Sequence, residues 1–144
     1  MNTILVLCVG NICRSPMAEA LLQHALPELT VHSAGVDALV GHPADPLSVQ
    51  IMREHGIDIS GHRARGLTSR MVAEADLILT MDGSQKQYVE RSFITSRGKV
   101  LRLCEFKKAD IADPYRRGMP EFHAAFGLIQ EGVNHLARKI VQLA

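Results

Sequence analysis

An apolar run that stops at a cysteine, five residues short of an arginine and a Ser-Pro pair, limits this chain most. The stretch is Ile4-Leu5-Val6-Leu7-Cys8-Val9-Gly10-Asn11-Ile12-Cys13-Arg14-Ser15-Pro16. Continuous apolar residues read as a strand covered on both faces. Pro16 suits the first helical position, where its missing N–H costs least, and Ser15 before it is the expected N-cap. The pattern therefore describes a strand that carries a thiol to the mouth of a helix N-terminus. Gly10 and Asn11 between them tolerate the left-handed backbone that a tight loop needs. The N–H groups of such a loop, with the positive end of the helix, cradle an anion. The same field favours a thiolate, lowering a cysteine pKa from about 8.5 into the range of roughly 3.5–7.5. Arg14 adds a planar, permanently charged fork for two oxygens of an oxyanion. The chemistry expected of that arrangement is phosphate-ester cleavage through a phosphocysteine.

Length and composition fit one soluble domain over residues 1–144, with 47% hydrophobic and 22% charged residues. A net charge of +1 gives no global field for nucleic acid or a membrane surface, so anion specificity must come from local geometry. No run approaches the roughly 20 apolar residues that span a bilayer, and the first apolar run breaks at Gly10-Asn11 without the flanks of a signal peptide. Three cysteines without framework spacing suit a reducing, cytoplasmic setting.

Further strands are expected at residues 30–33, 75–81 and 99–103. Helices are expected from Ser15 to near Pro27, from Pro46 to a stop at Gly56, over 68–75 and over 84–91. A final helix carries Phe122, Phe126, Ile129, Val133, Leu136 and Ile140 at steps of three or four. Strands alternating with helices predict an α/β fold, a doubly wound four-stranded parallel sheet with helices on both faces. In such sheets the site lies beyond the carboxyl ends of the strands, where Cys8 falls. Residues 34–46, rich in Gly, Pro and Asp, read as a long surface loop suited to binding.

Cys8 is the expected nucleophile, and Val9, Gly10, Asn11, Ile12, Cys13, Arg14 and Ser15 the expected phosphate loop. Ser15 can also donate a hydrogen bond to the sulfur. A general acid is needed on another loop. Asp113 competes with Asp110, Asp37 and Asp45, and Pro114 favours it by holding the preceding residue extended. Tyr115 can wall the pocket and stack on an aromatic ring. Seven histidines show no metal-ligand spacing, and no nucleotide P-loop sequence is present, so neither metal nor cofactor is expected.

The loop matches C-x5-R-S and closely resembles the low-molecular-weight protein-tyrosine phosphatase family. His32-Ser33-Ala34-Gly35, His55-Gly56-Ile57, His62-Arg63-Ala64-Arg65, Thr80-Met81-Asp82 and Asp113-Pro114-Tyr115 extend the resemblance in order along the chain. It implies strand order 2-1-3-4, Asp113 as acid and then base, and Ser33 and His62 as partners of Asn11. Arg116 and Arg117 follow a single tyrosine, and the 37–43 loop carries Leu39 and Val40 in place of aromatics, as in the bacterial branch. Leu39, Val40 and Tyr115 are expected to line the entrance. The implied partner is a phosphotyrosine protein, a bacterial tyrosine kinase of capsule or exopolysaccharide production. Alternatives on the same fold are arsenate reduction, which needs downstream cysteines beyond Cys104, and phosphoarginine hydrolysis, a branch with Thr where this chain has Ile12. A phosphate-binding module without turnover is a further alternative. Cys13 is expected to resolve an oxidised Cys8 as a disulfide.

Overall fold

Four short strands, the two central ones almost wholly buried and the two edge ones partly exposed, meet as neighbours in the computed structural model, which describes residues 1–143. They are β1 (Thr3–Cys8), β2 (Thr30–Gly35), β3 (Leu77–Thr80) and β4 (Val100–Arg102). All pair in parallel in the order β2-β1-β3-β4, as the resemblance implied. Alternation along β1 divides the core. Ile4, Val6 and Cys8 face a cluster with Met17, Leu22, Phe122 and Ile129, while Leu5 and Leu7 face Val72, Ile78, Val89 and Val100.

The first cluster lies under α1 (Arg14–Ala25), α2 (Pro46–Glu54) and α5 (Met119–Leu143), the second under α3 (Ser69–Glu74) and α4 (Gly83–Ser92). Asp45 caps α2 through Leu47 N at 2.9 Å, and Asp82 caps α4 through Gln85 N at 2.8 Å. Gly56, at φ +78°, supplies the left-handed stop after α2. The start of β1 is pinned by Asp76, whose Oδ2 accepts from Asn2 N at 2.8 Å and Thr3 N at 2.9 Å.

Two expectations about the first loop are corrected. Helix α1 begins at Arg14 after Cys13, with no side-chain cap, so Ser15 lies inside its first turn. Its hydroxyl is engaged elsewhere, with Asn11 and Cys8, and tertiary hydrogen bonding outweighs the local capping preference. The left-handed residue of the loop is Asn11 alone, at φ +60°; Gly10 is not in that region.

Candidate active site

Strand β1 ends at Cys8, level with Gly35 of β2, and the chain then curls into α1. Backbone polarity in the curl is sorted by direction. The carbonyls face the body of the protein: Val9 O accepts from Asp37 N, Gly10 O from Leu39 N and Ile12 O from Asp45 N. Asn11 O meets His62 Nε2 at 2.7 Å, and Cys13 O accepts from Ser48 Oγ at 3.1 Å. The N–H groups of residues 9–13 donate to no protein acceptor among the described residues. A loop with every carbonyl engaged and its amides free is a cradle for an anion. Gly35 holds it in place, because a Cβ there would stand 2.5 Å from Val9 O.

Beneath the curl a buried polar chain reaches Cys8. Asn11 Nδ2 donates one hydrogen to Ser15 Oγ at 2.8 Å and the other to Ser33 Oγ at 3.0 Å. Ser33 Oγ passes its own hydrogen to Glu19 Oε1 at 2.8 Å, and Asn11 Oδ1 accepts from Arg65 N at 2.9 Å. Ser15 Oγ also lies 2.9 Å from Cys8 Sγ, and it donates its hydrogen there when the sulfur is a thiolate, which has none to give. Asn11, Ser15 and Ser33 are fully buried.

Arg14 is also buried, at 2% exposure. Its Nη1 donates to Ile111 O at 2.7 Å, tying it to the loop that carries Asp113. Asp82 Oδ2 lies 3.8 Å from Nη1, and Asp113 Oδ2 lies 3.7 Å from Nη2. The buried Nε has no hydrogen-bond partner among the described residues. An unmatched donor of a buried guanidinium is costly unless an anion meets it.

These parts enclose a cavity of about 190 Å³, lined by Cys8, Val9, Gly10, Ile12, Cys13, Arg14, Asp37, Leu39, Asp113 and Tyr115. Asp113 is 44% exposed in its side chain, and its Oδ1 accepts from Tyr115 N at 3.1 Å. The competing carboxylates are placed otherwise: Asp110 binds Arg102 and Gly83 N, and Asp45 caps α2. Asp37 does reach the wall. Val40 does not. The turn closed by His42 N on Leu39 O, with Gly41 at φ +84°, puts Val40 at its tip, 71% exposed. Cys13 lies 3.9 Å from Asp45 Oδ2. Burial first, then the charges of Asp45, Cys8 and Asp113, push its thiol well above the ordinary range against the pull of Arg14.

Sequence reading missed Glu19 and gave Arg65 no role of its own; Asp37, weighed there only as a rival acid, stands on the cavity wall. Glu19 lies one helical turn beyond Ser15, which is a sequence signal, but its link to Ser33 depends on β1–β2 pairing.

Fold and site together define an α/β protein in which a loop of unpartnered amides and a buried arginine stand beside a cysteine thiol, with a carboxylic acid on a facing loop. Comparison with known proteins narrows the class. Residues 3–143 match the family model described as low molecular weight phosphotyrosine protein phosphatase. The probable low molecular weight protein-tyrosine-phosphatase EpsP of Ralstonia nicotianae is 54% identical over 134 residues, 93% of this chain and 92% of that protein. Vibrio vulnificus Wzb, solved in complex with benzylphosphonate, superposes with a TM-score of 0.92 at 38% identity, covering 96% of this chain and 98% of the other. The YwlE arginine phosphatase from Geobacillus stearothermophilus gives a TM-score of 0.93 at 33% identity, covering 99% and 94%. The chain belongs to the low molecular weight phosphotyrosine protein phosphatase family, and its similarity to these relatives places it in the bacterial part of that family.

Proposed function

We propose that this protein hydrolyses phosphotyrosine in proteins through a phosphocysteine on Cys8. The observation that carries this reading is the sorted backbone of residues 9–13, next to Cys8 in the chain, whose amides have no acceptor among the described residues while their carbonyls are all engaged. Three equatorial phosphate oxygens fit those amides and the fork of Arg14. Sulfur attacks phosphorus in line, the S–P bond forms, and the bond to the tyrosine oxygen breaks as Asp113 protonates it. Water then attacks phosphorus while Asp113 takes its proton, and the S–P bond breaks. The Ser15 hydroxyl meets the charge returning to sulfur, and no metal enters either step.

Ile12, Leu39 and Tyr115 give the wall above the cradle an apolar surface suited to an aromatic ring. The likeness to an arginine phosphatase supports a second reading, phosphoarginine hydrolysis. Ile12 favours the aryl ester, because it offers no hydroxyl to a guanidinium. Cys104, fully buried with its Sγ 3.2 Å from Leu128 O, is not placed for a thiol relay of the arsenate-reductase kind.

The proposed partner is a bacterial tyrosine kinase of capsule or exopolysaccharide production, met in the cytoplasm. Family membership and the likeness to proteins named EpsP and Wzb support it. No helix among the described residues is long and apolar enough to cross a membrane. The deciding experiment is parallel hydrolysis of phosphotyrosine, phosphoserine and phosphoarginine peptides in chelator, with acid-quench trapping of the phosphoenzyme. Phosphotyrosine turnover with label on Cys8 is expected; faster phosphoarginine turnover would replace this reading by the second.

A further inference from the structure

A second cavity, of about 230 Å³, opens on the far side of the acid loop and shares Asp113 with the catalytic one. Its floor is apolar, from Pro114, Ala124, Ala125 and Leu128, and Arg117 and Glu121 stand on its wall. Glu121 is committed to the helix start, its Oε2 accepting from Gly118 N at 3.0 Å. Arg117 forms no ion pair among the described residues, and neither does Arg116. Both are exposed.

The backbone places these two cations. Arg117 N donates to Pro114 O at 2.9 Å, closing a turn whose third residue, Arg116, has φ +63°. Glycine or asparagine is the usual occupant of that position. An arginine there sets its guanidinium 5.2 Å from the centroid of the Tyr115 ring, at the mouth of the catalytic cavity. The opposite rim carries Asp37, which has no cationic partner among the described residues. The mouth is therefore polar from side to side, positive along the acid loop and negative along the 37 loop.

We propose that the groove between the acid loop and the first turns of α5 is a subsite for the residue beside the phosphotyrosine, and that Arg116 and Arg117 select an anionic one there. The inference rests on the phosphotyrosine reading. A chain leaving the catalytic cavity over Asp113 enters this groove directly. Its apolar floor takes the body of a side chain, Arg117 on its wall takes a carboxylate or phosphate at its end, and Arg116 adds a positive charge at the mouth that leads to it. A glutamate and a second phosphotyrosine share that chemistry.

The test compares phosphotyrosine peptides that differ only in the flanking residues: neutral, Glu, Lys or a second phosphotyrosine, on either side. The readout is the ratio of kcat/KM for each charged peptide to that for the neutral one within each variant, which cancels changes in the chemical step. The wild type should favour anionic flanks about three- to tenfold, more so at low salt. Arg117→Gln and Arg116→Gln should bring the ratio towards one, and Ala124→Glu should lower it by placing a like charge in the groove. Preference for the second phosphotyrosine over Glu identifies phosphate as the group read; parity identifies charge alone. A ratio near one in the wild type, a preference for Lys, or a ratio unmoved by all three substitutions would overturn the proposal. Binding of the same peptides to Cys8→Ser separates the two readings. Selective binding without wild-type hydrolysis would remove the phosphatase reading alone, and hydrolysis without selectivity would remove the subsite alone.

Discussion

Asn11, Ser15 and Ser33 beneath the nucleophile are fully buried and each takes part in at least two hydrogen bonds, whereas the side of the cavity facing solvent carries Tyr115 at 38% exposure and Asp113 at 44%. The floor is a closed account of donors and acceptors, so losing one member strands the others in a dry interior. The rim is held by two turns, and its side chains touch solvent and one another. On the proposed function, catalytic geometry is fixed where nothing can move cheaply, and substrate choice is delegated to positions where side chains can change.

If the floor holds the chemistry, its central atom is the place to break it. Cys8→Ser should abolish hydrolysis while retaining inorganic phosphate binding, read by calorimetry. Retained turnover would show that sulfur is not the nucleophile. At the border between floor and rim, Asp113→Ala should slow phosphotyrosine peptides by about 10²–10⁴-fold. Esters whose leaving groups need no proton should lose much less, and equal losses would assign Asp113 to binding instead. Asn11→Ala strikes the floor without touching substrate. It leaves Ser15, Ser33 and Arg65 N short of a partner and puts Ala at φ +60°, so about 2–4 kcal/mol of stability should go. Chemical denaturation gives the value, and a cost below that range would mean the chain reorganises around the gap.

On the rim the effects shrink. Tyr115→Ala should weaken aryl phosphate binding about three- to tenfold, the range of one lost aromatic contact, and leave inorganic phosphate nearly unchanged. Smallest of all is Asp76→Asn, far from both regions at the start of β1. The N–H groups of Asn2 and Thr3 hold the Asp76 carboxyl below its ordinary range. Its contribution to stability is present above the unfolded pKa and lost as pH falls through the folded one. The variant should therefore differ from wild type in thermal midpoint near neutral pH, and the difference should close on acidification. A gap that persisted in acid would point to packing, not charge.

Much of this division was legible in the chain. Cys8, the loop and the buried arginine lie within one short segment, so spacing alone brings them together. Asp113 was favoured over its competitors by Pro114, a local restraint on backbone shape, and further by the family resemblance of Asp113-Pro114-Tyr115. What escaped depends on meetings between distant segments. Glu19 joins the floor only because β2 pairs beside β1, and Arg65 because the 62–66 stretch folds back on Asn11. Ser15 misled through a strong local signal: Ser-Pro says cap, but the hydroxyl finds better partners inside. Val40 was misplaced because one left-handed residue, Gly41, turns it to solvent.

Arg14 joins the two regions physically, through the bond from its Nη1 to Ile111 O, two residues before Asp113. On the proposed function, one guanidinium is both the clamp on the phosphate and the strut that sets how far the acid stands from it. Lysine could supply the charge but not the strut, since its ammonium has no rigid fork to span both. The penalties of altering Arg14 and Asp113 are therefore shared, and a double-mutant cycle between them should fall well short of additivity. On that reading binding strength and protonation are not tuned independently, because both are adjusted by the same screw.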